Sequence, residues 1–147
     1  MSADALDWCL TLHRAHASLN LKLDDELGTL HGIGLDEFVL LSLLADAQQQ
    51  RLQVSELVRP MGASRSCVVR RVIAMEKTGL VERRNDEREP GRRHVVLRPA
   101  GQQLWRHARI TAQAVCAQAV GGVAGSVLAQ AGAVLAGLAT TEALQVS

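Results

Sequence analysis

Residues 52–101 read LQVSELVRPMGASRSCVVRRVIAMEKTGLVERRNDEREPGRRHVVLRPAG. Gln53 or Ser55 opens a helix, and Pro60 and Gly62 hold it to about two turns because a proline nitrogen cannot donate a backbone bond. Ser64 then caps a second helix, Arg65–Thr78. Within it Val68, Val72 and Met75 recur at i, i+4 and i+7 and form a buried stripe, which leaves Arg65, Ser66, Val69 and Arg70 on the opposite, exposed side. Gly79 ends the helix as the residue after its C-cap. Leu80–Arg84 and His94–Arg98 are short runs of strand-forming residues, joined by a loop, Asn85–Arg93, with Pro90–Gly91 near its tip. A short helix, a turn, an Arg-rich helix, a strand, a basic loop and a strand make the order of a winged helix-turn-helix, a unit that sets its second helix in a major groove with the loop beside it.

The flanks are helical. Leu6, Leu10, His13, Ala17, Leu21 and Leu27 recur near helical spacing, which predicts a helix over residues 3–30 broken at Gly28 and the His31–Gly34 stretch. Asp36 reads as the N-cap of a helix over Glu37–Ala47, with Phe38, Leu41 and Leu44 on one face and Gln48–Gln50 closing it. Pro99 can open a helix to about Val120; Gly121–Gly122 suggests a turn, and a last helix covers about residues 123–144. The expected fold class is mainly α with a small β-wing. It forms a single domain over 1–147, with a winged lobe at about 35–99 and dimerisation helices at about 3–30 and 100–145.

Composition agrees. Of 147 residues, 48% are hydrophobic but only 2% aromatic, so aliphatic and small residues do the packing. The net charge of +1 hides an asymmetry. Residues 1–50 hold two basic and eight acidic side chains, a balance of −6. Residues 59–98 hold eleven basic against five acidic, a balance of +6, and ten of the eleven cations are Arg. A basic centre beside an acidic arm points to a localised face for a polyanion, and Arg suits phosphate and guanine contacts best. No charge occurs between Ile110 and Thr141. Its Ala, Gly and Gln content lacks the Leu/Ile/Phe density of a membrane span. A helix pair covered by a second subunit fits it better. Cys9, Cys67 and Cys116 are odd in number and widely spaced, with no metal-binding pattern. The acidic N-terminus reads as no signal peptide, so a reducing cytoplasm is the expected compartment.

The ordered set of motifs resembles the MarR family of bacterial transcription regulators. Leu35–Leu44 is similar to that family's second helix, and Val54–Val58 to the first element of its helix-turn-helix. Ser64–Val72 followed by Met75–Val81 resembles its recognition helix and first wing strand, and Val96–Gly101 the entry to its fifth helix. The resemblance implies a homodimer whose terminal helices intertwine and whose two lobes meet successive major grooves of a pseudo-palindromic operator. Ligands or oxidants near the junction of lobe and dimer helices would then release the DNA. The family wing carries an Asp paired with an Arg near the minor groove; here Asp86 or Glu89 could supply the acid and Arg88 or Arg92 the base. Arg98 stands where the family has Thr.

Arg65 and Arg70 are the first candidates for base contacts, since Arg reads guanine with two bonds. Ser64 and Ser66 can bond phosphates at the helix start, Val69 shares their face, and Arg71 can turn to a phosphate or pair with Glu76. Arg88 and Arg92 suit the minor groove or phosphates; a solvated basic face is the plainer alternative for all of these. Trp8, His13, Arg14 and Phe38 could line a pocket for an aromatic acid, Trp stacking and Arg clamping the carboxylate, or could simply pack a dimer. Cys9 resembles in placement the peroxide-sensing cysteine of one branch of the family, but the tyrosines that accompany it there are missing, and a small core side chain is the plain reading. Cys67 reads as structural and Cys116 as interfacial. His13 and His16, one turn apart, lack further ligands to complete a metal site. No nucleophile–base pair, phosphate loop or paired-carboxylate motif supports an enzyme, and no cofactor motif is present. The expectation is a DNA-binding regulator, a homodimeric repressor released by a small-molecule effector. The alternatives are a redox-sensing repressor using Cys9 and a winged-helix interaction module that does not read DNA.

Overall fold

The computed structural model describes residues 4–145, which form six α-helices and one small three-stranded sheet. The helices are α1 (Ala5–His31), α2 (Leu35–Asp46), α3 (Val54–Met61), α4 (Arg65–Lys77), α5 (Pro99–Ala119) and α6 (Gly125–Ala139). The strands are β1 (Arg51–Gln53), β2 (Val81–Asn85) and β3 (Arg93–Leu97). The fold class expected from the sequence is the one observed. The chain divides into two compact units within α5, after Val115. No single helix among the described residues is long and apolar enough to cross a membrane.

Several boundaries differ from expectation. Helix α1 runs through Gly28 to His31 and ends at Gly32, which takes the left-handed φ of 70°. A mid-helix glycine costs only about 1 kcal/mol against alanine, and Leu27 beside it is fully buried. The expected start at residue 3 lies outside the described residues. Helix α2 is capped two residues earlier than expected: Gly34, not Asp36, is its N-cap, and the Gly34 N–H donates to Glu37 Oε2 at 2.7 Å. Asp24 of α1 accepts the Leu35 N–H at 2.8 Å, fixing the entry. Each wing strand is shifted by one residue, and α6 ends at Ala139, before a short 3-10 turn at Glu142–Leu144.

The third strand was not foreseen. Arg51–Gln53 pairs antiparallel with β3, which lies between β1 and β2. Three residues with one apolar member carry too little alternation to read as a strand. The chain reaches it through Gln49 and Gln50, both with left-handed φ (57° and 53°), a conformation costing non-glycine residues of order 1 kcal/mol each.

The core of the first unit forms where α2, α3 and α4 meet one face of the sheet. Leu40, Leu41 and Leu44 of α2, Leu57 of α3, Val68 and Val72 of α4, Val81 of β2 and Val95 of β3 are fully buried, with Met75 and Leu97 nearly so. The stripe expected on α4 is thus the one observed. Trp105 of α5 donates its ring N–H to Ser42 Oγ at 3.0 Å, and His31 bonds Thr111 at 2.7 Å, tying α5 to α2 and α1.

The joint between α4 and the wing is built from backbone. With Thr78 as C-cap, Gly79 (φ 79°) donates to the Glu76 carbonyl and Leu80 to the Met75 carbonyl, each at 3.0 Å, the paired bonds of a Schellman close. The Leu80 carbonyl accepts the Arg98 N–H at 3.1 Å where β3 passes into α5. Gly101 lies against that carbonyl; a Cβ there would collide with the Leu80 oxygen and stand 3.0 Å from Leu97 Cδ1. Glu76 clamps the same joint. Its carboxylate accepts the Arg83 N–H at 2.8 Å and the Arg83 guanidinium at 2.9 and 3.1 Å. These bonds, the backbone one foremost, hold the Glu76 carboxyl below the usual carboxylate range.

Two outcomes are expected. Gly101→Ala should destabilise the fold by about 1–3 kcal/mol, the cost of overpacking a fixed backbone contact, read as a lower urea midpoint. Because the Glu76 carboxyl is depressed in the folded state, its contribution is present above the unfolded-state pKa and fades as pH falls through the folded one. Glu76→Gln should therefore be less stable than the parent at pH 7, with the gap closing on acidification below about pH 4; a gap independent of pH would exclude the charge as its cause.

Candidate nucleic-acid interface

The exposed turn of α4 begins at its cap. Ser64 Oγ accepts the Cys67 N–H at 3.3 Å and lies 3.3 Å from Ser66 Oγ. Ser64, Arg65, Ser66 and Arg70 are exposed and Val69 is half-buried, because Val68 and Val72 take the inward side. Arg71 is engaged elsewhere. Its guanidinium pairs with Asp36 at the start of α2 at 3.1 Å, while Glu76, the partner considered from sequence, is held by Arg83.

A cleft of about 440 Å³ opens between this turn and the wing. Ser55, Arg65, Val69, Arg83, Arg92 and Arg93 are among its walls, and no acidic residue lines it. Arg83 is neutralised by Glu76 and Arg92 by Glu89, whereas Arg65 and Arg93 have no ion-pair partner among the described residues. Two unpaired guanidiniums on one acid-free concavity create a positive potential that low-dielectric walls focus outward. The sequence reading missed Arg83 and Arg93. Their signal was the strand alternation: Arg93 shares a face with Val95 and Leu97, and Arg83 with Val81.

The wing loop is closed by its own backbone. Asp86 N–H donates to the Arg92 carbonyl at 2.8 Å, and Arg92 N–H to the Glu89 carbonyl at 3.1 Å. The acid–arginine ion pair of the wing is Glu89–Arg92, at 2.6 Å. Asp86 makes a different pair of bonds, accepting the Arg88 N–H at 2.9 Å on one oxygen and meeting His94 Nε2 at 3.0 Å on the other. The Arg88 N–H first, then His94, hold the Asp86 carboxyl below its ordinary range. The Arg88 guanidinium is exposed and has no ion-pair partner among the described residues.

None of the residues read as a ligand pocket lines the clefts described among residues 4–145. Trp8, His13 and Arg14 lie on exposed turns of α1, where Arg14 meets Thr11 Oγ1 at 3.5 Å, and Phe38 is half-buried on α2. A shallow groove of about 520 Å³ beside them is lined instead by Ala17, Asn20, Leu21, Asp24, Leu35 and Asp36. Cys9 is exposed, Cys67 and Cys116 are half-buried, and all three are free thiols. His16 meets Asn20 Nδ2 at 3.0 Å, and among the described residues no three His, Cys, Asp or Glu side chains gather as metal ligands would.

Comparison with known proteins adds to this geometry. The MarR family model matches residues 33–89. No curated protein sequence matches the chain. Among solved structures, a MarR family transcriptional regulator from Streptomyces coelicolor in complex with DNA is 24% identical with a TM-score of 0.86, covering 100% of this chain and 91% of that one. CouR from Rhodococcus jostii RHA1, bound to p-coumaroyl-CoA, is 19% identical with a TM-score of 0.82 and full coverage of both chains. BpsR from Bordetella bronchiseptica, whose DNA binding is regulated by 6-hydroxynicotinic acid, is 17% identical with a TM-score of 0.78, covering 90% of this chain and 98% of its own. Residues 33–89 match the MarR family model, and the described residues have the fold of the solved MarR regulators.

Proposed function

We propose that this chain is a sequence-specific, double-stranded DNA-binding transcriptional regulator, acting as a homodimeric repressor on a pseudo-palindromic operator. The observation that carries the reading is the acid-free cleft between α4 and the wing, with Arg65 and Arg93 unpaired inside it. Ser64 and Ser66 at the start of α4 bond phosphates, Arg65 and Arg70 address base edges with Val69 beside them, and Arg88 and Arg92 reach the flanking backbone or minor groove. Arg71 contributes by fixing α4 to α2 through Asp36.

Dimerisation is supported within each unit by apolar side chains left in water. In the first unit these include Leu6, Leu10, Leu21, Leu30 and Ile110; in the second, Val123, Val127, Leu128, Val134 and Leu135. Contiguous exposed apolar surface is a liability for a monomer and an asset for a subunit. The effector is a small molecule, an aromatic acid or its thioester being the favoured class. Support comes from the similarly folded regulators seen with p-coumaroyl-CoA or controlled by 6-hydroxynicotinic acid. No particular contact in the structure favours redox sensing through Cys9 or an interaction module that ignores DNA.

Fluorescence anisotropy on the chain's own promoter DNA tests the reading, and failure to bind any promoter fragment at low salt would overturn it. Arg65→Ala or Arg70→Ala should each cost about 1–3 kcal/mol on the specific site and relax base preference there. Arg93→Ala should weaken all sequences alike and lower the salt slope by about 1. In sedimentation the 15.8 kDa chain should run at twice its mass, and a monomer at micromolar concentration would remove the dimer from the account.

A further inference from the structure

The outer face of the wing sheet carries a group that DNA contacts alone do not explain. His94 is the second residue of β3, opposite Gln53 of β1 and Arg84 of β2. Its side chain is only 15% exposed, and its Nε2 is 3.0 Å from Asp86 Oδ2. The other Asp86 oxygen holds the Arg88 N–H, and the Asp86 N–H holds the Arg92 carbonyl. The Asp86 carboxylate thus fixes the backbone of Arg88, the Asp86 N–H fixes that of Arg92, and the imidazole is the side chain that steers the carboxylate.

We propose that His94 is a positioning residue for the wing. Acting through the Asp86 carboxylate, it sets how Arg88 is presented to DNA. The inference rests on the DNA-binding reading above. An imidazole Nε2–H can donate to Asp86, and an ionised carboxylate is the stronger acceptor for it. Asp86 is held below the ordinary carboxylate range and so is ionised at neutral pH. The charged groups around His94 are Arg51 from β1, Arg84 from β2 with its partner Glu82, and Asp86, Glu87 and Arg88 from the loop.

The test compares the full-length protein with His94→Gln and His94→Ala. The Gln amide can still donate to Asp86; Ala removes the donor. Affinity for a promoter duplex should be kept in His94→Gln and fall about twofold to fivefold in His94→Ala. In the free protein, the Arg88 amide resonance should stay near its parent position in His94→Gln and shift in His94→Ala. Equal affinity in the parent and His94→Ala, or an Arg88 amide that does not move in His94→Ala, would overturn the proposal. If no variant bound DNA, the DNA reading would fall, and the Arg88 amide would still decide whether His94 positions the wing.

Discussion

The peptide of Leu80 is the point on which the basic half of the chain depends. Its N–H closes α4, its carbonyl receives the chain entering α5, and Gly101 is pressed against that same oxygen. One residue later β2 begins, and Glu76 reaches across from α4 to hold Arg83 by backbone and side chain together. A helix end, a strand start and a helix start therefore share one small volume with their polar groups paired. Buried backbone groups must find partners, and here the partners belong to different elements, so meeting that demand also fixes the angle between α4 and the wing.

That angle makes the cleft. Val68, Val72 and Met75 turn inward to Leu57, Val81 and Val95, which leaves Arg65 and Val69 as one wall. Strand alternation sends Arg83 and Arg93 to the facing wall, alongside the buried Val81, Val95 and Leu97. Some of the positive charge is then cancelled locally, by Glu76, Glu82, Glu89 and Asp36. The cations left over are concentrated where the walls converge. The near-zero net charge of the whole chain and a strongly basic cleft are thus compatible, because the acidic excess lies in residues 1–50.

Much of this was legible in the sequence because the strongest signals are local. Ser64, the i, i+4, i+7 stripe and Gly79 marked α4 to within a residue, and the Pro60–Gly62 pair marked the end of α3. What escaped were features fixed by partners distant in sequence. Strand β1 exists because β3 offers it an edge, not because Arg51–Gln53 prefers to extend. Arg71 turned to Asp36, 35 positions earlier, and Glu76 to Arg83, pairings that charge pattern alone leaves open. Arg93 was assigned to the loop rather than to the start of β3, which hid the face it shares with Val95 and Leu97. Trp8, His13 and Arg14 lie on exposed turns of α1 and, like Phe38, line none of the clefts described among residues 4–145.

The most direct measurement is a backbone amide chemical-shift map of the protein titrated with a promoter duplex. Perturbations concentrated together on residues 64–70 and 86–93, with the outer wing face at Glu82 and Arg84 less affected, are expected if the cleft grips the duplex. A map confined to α6, or one that leaves residues 64–70 unmoved while the duplex is bound, would contradict the account.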